Sequence, residues 1–247
     1  MAVLISMQKV FLNGDFIDKD SAKISIFDRG FIFGDGIYEV IPVINSTIVE
    51  KQGFWDRFKR SLSEIDLSLP YSTNEFETIL NRLIQINSLQ EGGLYIQITR
   101  GVAQRDFSFV SNITPTVMAF AFSDSVLEHP GAKSGIAIIS TPDIRWKRRD
   151  IKSISLLGQC YAKNQATIAG ADECFMVEDG YVTEAGSSSA FIIKDGVLIT
   201  KPLSNEILPG IRRQRLLNLA KEIGLKIEER KFSMDEVYNA DECFISA

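Results

Sequence analysis

The stretch Asp28-Arg29-Gly30-Phe31-Ile32-Phe33-Gly34-Asp35-Gly36-Ile37-Tyr38-Glu39 decides how the first half of the chain is read. Gly30, Gly34 and Gly36 punctuate it, as glycine does where the backbone must turn. The run Ile37 to Ile44 that follows is rich in β-branched residues and reads as a strand. Upstream, Ala22 to Phe27 alternates apolar and polar residues, the pattern of a half-buried strand. Before it, Gln8 to Leu12 and Phe16-Ile17 flank Asn13-Gly14, a hairpin turn signal. Downstream, Phe54, Phe58, Leu62 and Ile65 recur at helical spacing among charges, which predicts an amphipathic helix. Asn74 to Asn87 reads as a second helix with Ser72 or Thr73 as its cap. Leu94 to Thr99 and Thr116 to Phe122 read as strands.

The polar stretch 124–134, carrying His129-Pro130-Gly131, reads as a linker. It separates an N-terminal α+β domain, 1–123, from a C-terminal domain, 135–247. In the latter, Gly135 to Ser140 reads as a strand and Leu156 to Ala169 as a helix closed by Gly170. Glu173 to Glu178 and Phe191 to Lys194 read as strands that end in Asp179-Gly180 and Asp195-Gly196, both tight-turn signals. Val197 to Thr200 returns as a strand. Ile211 to Ile223 reads as a helix with Gly224 just beyond it, and Cys243 to Ala247 as a last strand. Strands and helices mix without regular βαβ alternation, so the fold class is α+β.

Composition removes several functions. With 27 Lys and Arg against 32 Asp and Glu the net charge is −5, and no basic stripe invites nucleic acid. The apolar run Val117 to Phe122 is far short of the roughly 20 residues of a membrane span. Residues 1–7 lack a basic start and a long apolar stretch, so no signal peptide is expected and the location expected is cytoplasmic. The three cysteines, Cys160, Cys174 and Cys243, are too scattered for a disulfide framework or a zinc knuckle. The single histidine, His129, argues against a Ser-His-Asp or Cys-His hydrolase and against a multi-His metal site; no metal is expected.

Three local features carry chemistry. Leu208-Pro209-Gly210 opens the helix that begins Ile211-Arg212-Arg213. A helix N-terminus with free N–H groups suits a phosphate, although a plain turn onto a surface helix has the same pattern. Lys152 follows the basic stretch Arg145 to Arg149. It is either a Schiff-base nucleophile or part of a solvated basic face. Glu184 stands before Ala185-Gly186-Ser187-Ser188-Ser189, where small residues let a ligand approach a carboxylate, or form a polar loop.

Taken together, the motifs resemble those of the class IV pyridoxal-phosphate aminotransferases. The matching stretches are Asp28 to Glu39, Trp55-Asp56-Arg57, Asp150-Ile151-Lys152-Ser153 with Ala162-Lys163, Val182 to Ser189, and Leu208-Pro209-Gly210-Ile211. Tyr38-Glu39-Val40 and Ile151-Lys152-Ser153 look most like the D-amino acid aminotransferase branch. Branched-chain aminotransferases and aminodeoxychorismate lyases are similar too.

The resemblance implies a two-domain fold of type IV, with a small N-terminal domain and a larger C-terminal one built on a mixed, barrel-like sheet. It implies pyridoxal 5′-phosphate held covalently by Lys152, which also shuttles the proton at the substrate Cα. Glu184 would face the pyridine nitrogen and keep the ring an electron sink. Arg57 would clamp the phosphate with a charge-assisted fork. Ser188, Gly210 and the backbone N–H groups of Ile211 and Arg212 would complete the phosphate seat. Tyr161 falls where some members have a residue near the cofactor.

Family members of the D-amino acid branch trap the substrate carboxylate with Tyr, Arg and His. The resemblance places Phe31 at the Tyr position, Arg105 at the Arg and Phe107 at the His. Phe54-Trp55 stands where a His often precedes Asp-Arg, Ser189 or Ala190 where an Asn ends the Ser-rich loop, and Arg212 where a Thr follows Gly-Ile. The pocket is thereby expected to be more apolar and to favour a more hydrophobic amine donor. The leading expectation is transfer of an amino group between an amino acid, D-configured in this branch, and a 2-oxo acid. The alternatives are an aminodeoxychorismate lyase on the same scaffold and a non-catalytic relative that binds the cofactor. A homodimer is implied. Set against the resemblance, the chain stops before the family's last strands: either it is a truncated form, or that wall of the site is closed in another way.

Overall fold

The computed structural model describes residues 9–128 and 131–247. The N-terminal stretch read for a signal peptide and His129-Pro130 of the linker lie outside the described residues. Two compact units emerge. The first takes 9–128 together with Lys152–Ser155, and the second takes 131–151 together with Leu156–Ala247.

The first unit is a six-stranded sheet in the order β2-β1-β6-β5-β3-β4, with every pair antiparallel. Its strands are β1 (Lys9–Leu12), β2 (Asp15–Asp18), β3 (Gly36–Ile44), β4 (Thr47–Ile48), β5 (Glu91–Thr99) and β6 (Thr116–Ser123). Asn13 and Gly14 both take positive φ, as the hairpin signal required. Helices α2 (Lys51–Ser63) and α3 (Thr73–Ile86) supply the rest of its core. Phe54, Trp55, Phe58 and Leu62 of α2 are buried, as are Phe76, Leu80, Leu83 and Ile84 of α3. The Phe58 and Phe76 rings stack at 6.2 Å, joining the two helices. Ser72 and Glu75 form a full capping box on α3.

The opening motif is a structural clasp. Asp28 caps the short helix α1 (Arg29–Phe33) by accepting the Gly30 N–H at 2.8 Å, and its other oxygen accepts from Thr116 at 2.6 Å. Gly34 ends α1 in the left-handed region, φ 68°. A side chain on Gly30 would collide with Thr99, 2.2 Å away. Asp35 then gathers Arg29 (2.7 Å) and Arg100 (2.9 Å), all buried.

The expected strand Ala22 to Phe27 is not formed. The segment joins no ladder, and Ile24, Ile26 and Phe27 are exposed. Alternation makes a strand only where a neighbouring strand pairs with it, and none of these residues pairs with one.

The second unit holds two open sheets. One is three-stranded, β7 (Ile138–Pro142), β8 (Glu173–Glu178) and β9 (Tyr181–Ala185). The other runs β12-β11-β10-β13, with β10 (Ser189–Lys194), β11 (Val197–Thr200), β12 (Lys226–Glu229) and β13 (Glu242–Ser246). Phe175, Val182, Ala190, Ile192, Ile199 and Phe232 form a core shared by strands of both sheets. After the short helix α4 (Gly131–Ser134), α5 (Leu157–Ile168) covers β8 through Ala162 and Ala166. Helix α6 (Ile211–Glu222) covers β10 and β11 through Leu217 and Ala220, and α7 (Met234–Tyr238) leads into β13. Asp179-Gly180 and Asp195-Gly196 take positive φ at both residues, the requirement of a two-residue hairpin.

Two expectations need correction. The sheets of the second unit do not close into a barrel, and that unit is no larger than the first. Lys152–Ser155 also group with the first unit although they follow the linker. The cause is hydrogen bonding along β3. Ser153 bridges Ile37, the Tyr38 N–H donates to the Lys152 carbonyl at 2.9 Å, and the Ile154 N–H donates to Gly36.

Candidate active site

Within the first unit, Lys152 is held by its backbone. Its N–H donates to the hydroxyl of Ser61 on α2 at 3.3 Å, and its carbonyl is fixed on β3. The side chain is thereby aimed over Tyr38, with Nζ 4.2 Å from the ring centroid. Tyr38 is itself backed. It stacks on Tyr95 at 5.6 Å, which stacks on Phe120 at 4.9 Å. Burial, then the neighbouring Tyr38, push the Tyr95 phenol up to about 12. It therefore stays protonated and donates to Gln97 at 2.9 Å. This aromatic stack gives Lys152 a rigid wall.

Arg57 projects from α2 and forks Glu39 of β3, Nε to Oε1 at 2.8 Å and Nη2 to Oε2 at 2.7 Å. The Glu39 side chain is wholly buried. Nothing local in the sequence marks Glu39, 18 residues away, as the partner of Arg57.

Of the substrate candidates, Arg105 and Phe107 come together. The Arg105 guanidinium lies 5.2 Å from the Phe107 ring and 5.7 Å from that of Phe33. It is Phe33 that packs against Phe107, at 5.5 Å. Phe31 lies on the same helix and is 71% exposed. The aromatic beside Lys152 is Tyr38.

In the second unit Glu184 projects from β9 into a buried position. Its Oε2 accepts from Arg145 Nη1 at 2.5 Å and its Oε1 from the Leu208 N–H at 3.0 Å. The remaining edge of the Arg145 guanidinium forks Asp143, through Nε at 3.0 Å and Nη2 at 2.7 Å. Thr183 donates to Asp143 at 2.6 Å. Burial pushes the Glu184 carboxyl above the usual range, and Arg145 and the Leu208 N–H only partly offset it. Burial pushes Asp143 the same way, but there the Arg145 fork outweighs it and holds the carboxyl low. The Arg145 and Arg149 side chains of the basic stretch before Lys152 are both buried and countercharged, Arg149 by Glu178 at 2.6 Å. The sequence gives no local sign of these pairings.

The Leu208 N–H ties Glu184 to the segment that opens α6. That helix begins at Gly210 with no side-chain cap. A Cβ on Gly210 would lie 2.8 Å from Ser189 Oγ and 3.1 Å from Arg213 Cβ, so a side chain there would press on both. Ser188 and Ser189 are buried nearby in sequence, and Ser189 pairs with Ser246 across β10 and β13. The Ser246 hydroxyl is buried without a hydrogen-bond partner among the described residues. Arg212 is exposed on the first turn, whereas Arg213 is buried against Glu229 at 2.7 Å. Tyr161, on α5, is 56% exposed.

A profile of the family described as amino-transferase class IV matches residues 36–247. The D-alanine aminotransferase of Staphylococcus haemolyticus is 41% identical over 242 residues, which cover 98% of this chain and 86% of that protein. The Escherichia coli branched-chain amino acid aminotransferase structure matches with a TM-score of 0.90 at 23% identity, over 97% of this chain and 83% of that one. That likeness speaks for the fold. A putative 4-amino-4-deoxychorismate lyase structure from Legionella pneumophila matches with a TM-score of 0.81 at 26% identity, over 92% and 84%. The chain belongs to the class IV aminotransferases. It is a transaminase with the α+β fold of that family.

Proposed function

We propose that the chain uses pyridoxal 5′-phosphate to move an amino group from a D-amino acid, D-alanine included, to a 2-oxo acid. The donor set suits that cofactor. The carrying observation is that Glu184, Leu208 and the uncapped start of α6 form one hydrogen-bonded piece. A carboxylate for a ring nitrogen and a helix N-terminus for a phosphate are thus built together. The close approach of Gly210 to Ser189 and the Ser246 hydroxyl, buried without a hydrogen-bond partner among the described residues, suit an anion there.

The residues we assign to the cofactor are Lys152, Arg57, Glu184, Ser188, Gly210, Ile211 and Arg212. When bound, it supplies an electron-poor ring that stabilises negative charge at the substrate Cα. Lys152 Nζ would take the proton from that carbon and deliver it to the cofactor carbon that receives the amino group, C4′. Glu184 holds a proton on the ring nitrogen. Tyr38, rather than Phe31, is our choice for the aromatic on the carboxylate side, because it is the ring that Lys152 lies over. Arg105 supplies the cation and Phe107 the apolar edge.

The test is a half-reaction screen. The cofactor-loaded protein should pass from its pyridoxal to its pyridoxamine absorbance with D-alanine and more hydrophobic D-amino acids, and faster than with their L-forms. No conversion with any amino acid, together with pyruvate release from aminodeoxychorismate, would overturn the proposal in favour of the lyase.

We further propose a homodimer. Exposed Ile26, Phe27 and Phe31 neighbour exposed Val102 through the Asp28–Val102 bridge, and Phe107 and Phe109 extend the same loop. Apolar surface of that extent is characteristic of a covered face. Sedimentation should give a dimer that Phe27→Lys weakens; a monomeric wild type would count against it.

A further inference from the structure

We infer that Arg145, braced by Asp143, is a positioning residue that fixes the aim and the charge of Glu184. The inference rests on the cofactor role proposed for Glu184, but the tie itself lies wholly inside the second unit. A guanidinium is planar, and both working edges of this one are engaged. Nε and Nη2 are on Asp143, and Nη1 is on Glu184. With one edge clamped by a fork, the other points in a single direction.

The brace is built from three sides. Thr183, the residue before Glu184, donates to Asp143, so β9 is tied to the same carboxylate. Arg149 Nη1 lies 3.3 Å from Asp143 Oδ2 and continues to Glu178, which Lys147 meets at the surface. The signs alternate from buried Glu184 outward, so no charge is left uncompensated. Gly158, in the first turn of α5, closes over the stem. A Cβ there would lie 2.9 Å from Arg145 Cγ and 3.2 Å from its Cα. Arg145 cannot swing away toward α5.

The charges facing Glu184 act in opposite senses. Burial favours its neutral form, Arg145 and the Leu208 N–H favour the carboxylate, and Asp143 disfavours it. A merely structural Arg145 would lose stability and rate on substitution, without moving a titration. A positioning Arg145 makes a signed prediction. Arg145→Gln removes the cation, so Glu184 takes its proton at higher pH. Asp143→Asn removes the opposing anion, so Glu184 keeps its charge to lower pH.

Two readouts test this. In the loaded enzyme, the acid limb of the D-alanine half-reaction should move to higher pH in Arg145→Gln and to lower pH in Asp143→Asn. In the cofactor-free protein, the infrared band of the protonated carboxyl, assigned by its loss in Glu184→Gln, should titrate in the same two directions. Arg145→Lys keeps the charge and loses the fork. Its acid limb should stay near the wild-type position while kcat falls, and it serves if Arg145→Gln does not fold. Shifts of the same sign in the Arg145→Gln and Asp143→Asn variants, or no shift in Asp143→Asn, would overturn the inference. If the wild type binds no pyridoxal phosphate, the proposed function fails, while the infrared titration still decides the tie.

Discussion

Lys152→Ala should lower the single-turnover rate of the D-alanine half-reaction by at least about 10³-fold, within the 10²–10⁴ range that a positioned proton carrier contributes. It should also remove the covalent link, so that borohydride reduction leaves a pyridoxyl group on the wild type and none on the variant. The fold should survive. The contacts that place this residue are made by its backbone, to Ser61 and Tyr38, and Ala keeps them. The side chain lies over Tyr38 in a cation–π contact, worth about 0.5–1 kcal/mol at a partly exposed site. The expected result is therefore a dead enzyme with a nearly unchanged urea midpoint. Lys152→Arg sharpens it, because a guanidinium keeps the charge over Tyr38 but neither gives up a proton readily nor forms the same bond. A Lys152→Ala protein that retains turnover would remove Lys152 from the chemistry.

What the sequence revealed and what it hid divide along a physical line. Asp179-Gly180, Asp195-Gly196 and a cap at Ser72 or Thr73 were legible because each is satisfied within four residues of chain; of the two caps the fold uses Ser72. The helix faces of α2 and α3 were legible because burial follows a fixed period. Segment 22–27 was misread for the complementary reason. Its alternation is local, but a strand needs a neighbour, and none of its residues joins a ladder. The charge pairs were hidden altogether. Arg145 meets Glu184 across 39 residues and Arg57 meets Glu39 across 18, and nothing near either arginine encodes the partner. A run such as Arg145 to Arg149 is usually solvated, and only the fold shows that Arg145 and Arg149 are inside. The position of Lys152 was hidden likewise, since a hydrogen bond to β3 outranks its place in the chain order. Resemblance singles out Lys152, Glu184 and Arg57; the fold shows what holds each of them.

Arg57→Gln should cost about 3–5 kcal/mol of stability, the loss seen when one partner of a buried ion pair is removed. Glu39 is wholly buried, and Arg57 is the only partner found for its carboxylate among the described residues. A glutamine offers neutral donors in place of a fork, so the carboxylate would stay buried without a counter-charge. The converse change, Glu39→Gln, should cost less, because the 11% exposed Arg57 side chain retains some access to water. In the double variant Glu39→Gln with Arg57→Gln both charges go together, and most of the lost stability should return. That recovery separates two roles that a single substitution confounds. If Arg57 also holds the cofactor phosphate, the double variant should regain its urea midpoint and still bind pyridoxal phosphate about tenfold or more weakly, as expected for losing a charge-assisted hydrogen bond of about 1.5–3 kcal/mol. A double variant that regains both stability and cofactor affinity would assign Arg57 to Glu39 alone, and the phosphate would then rest on Ser188 and the start of α6.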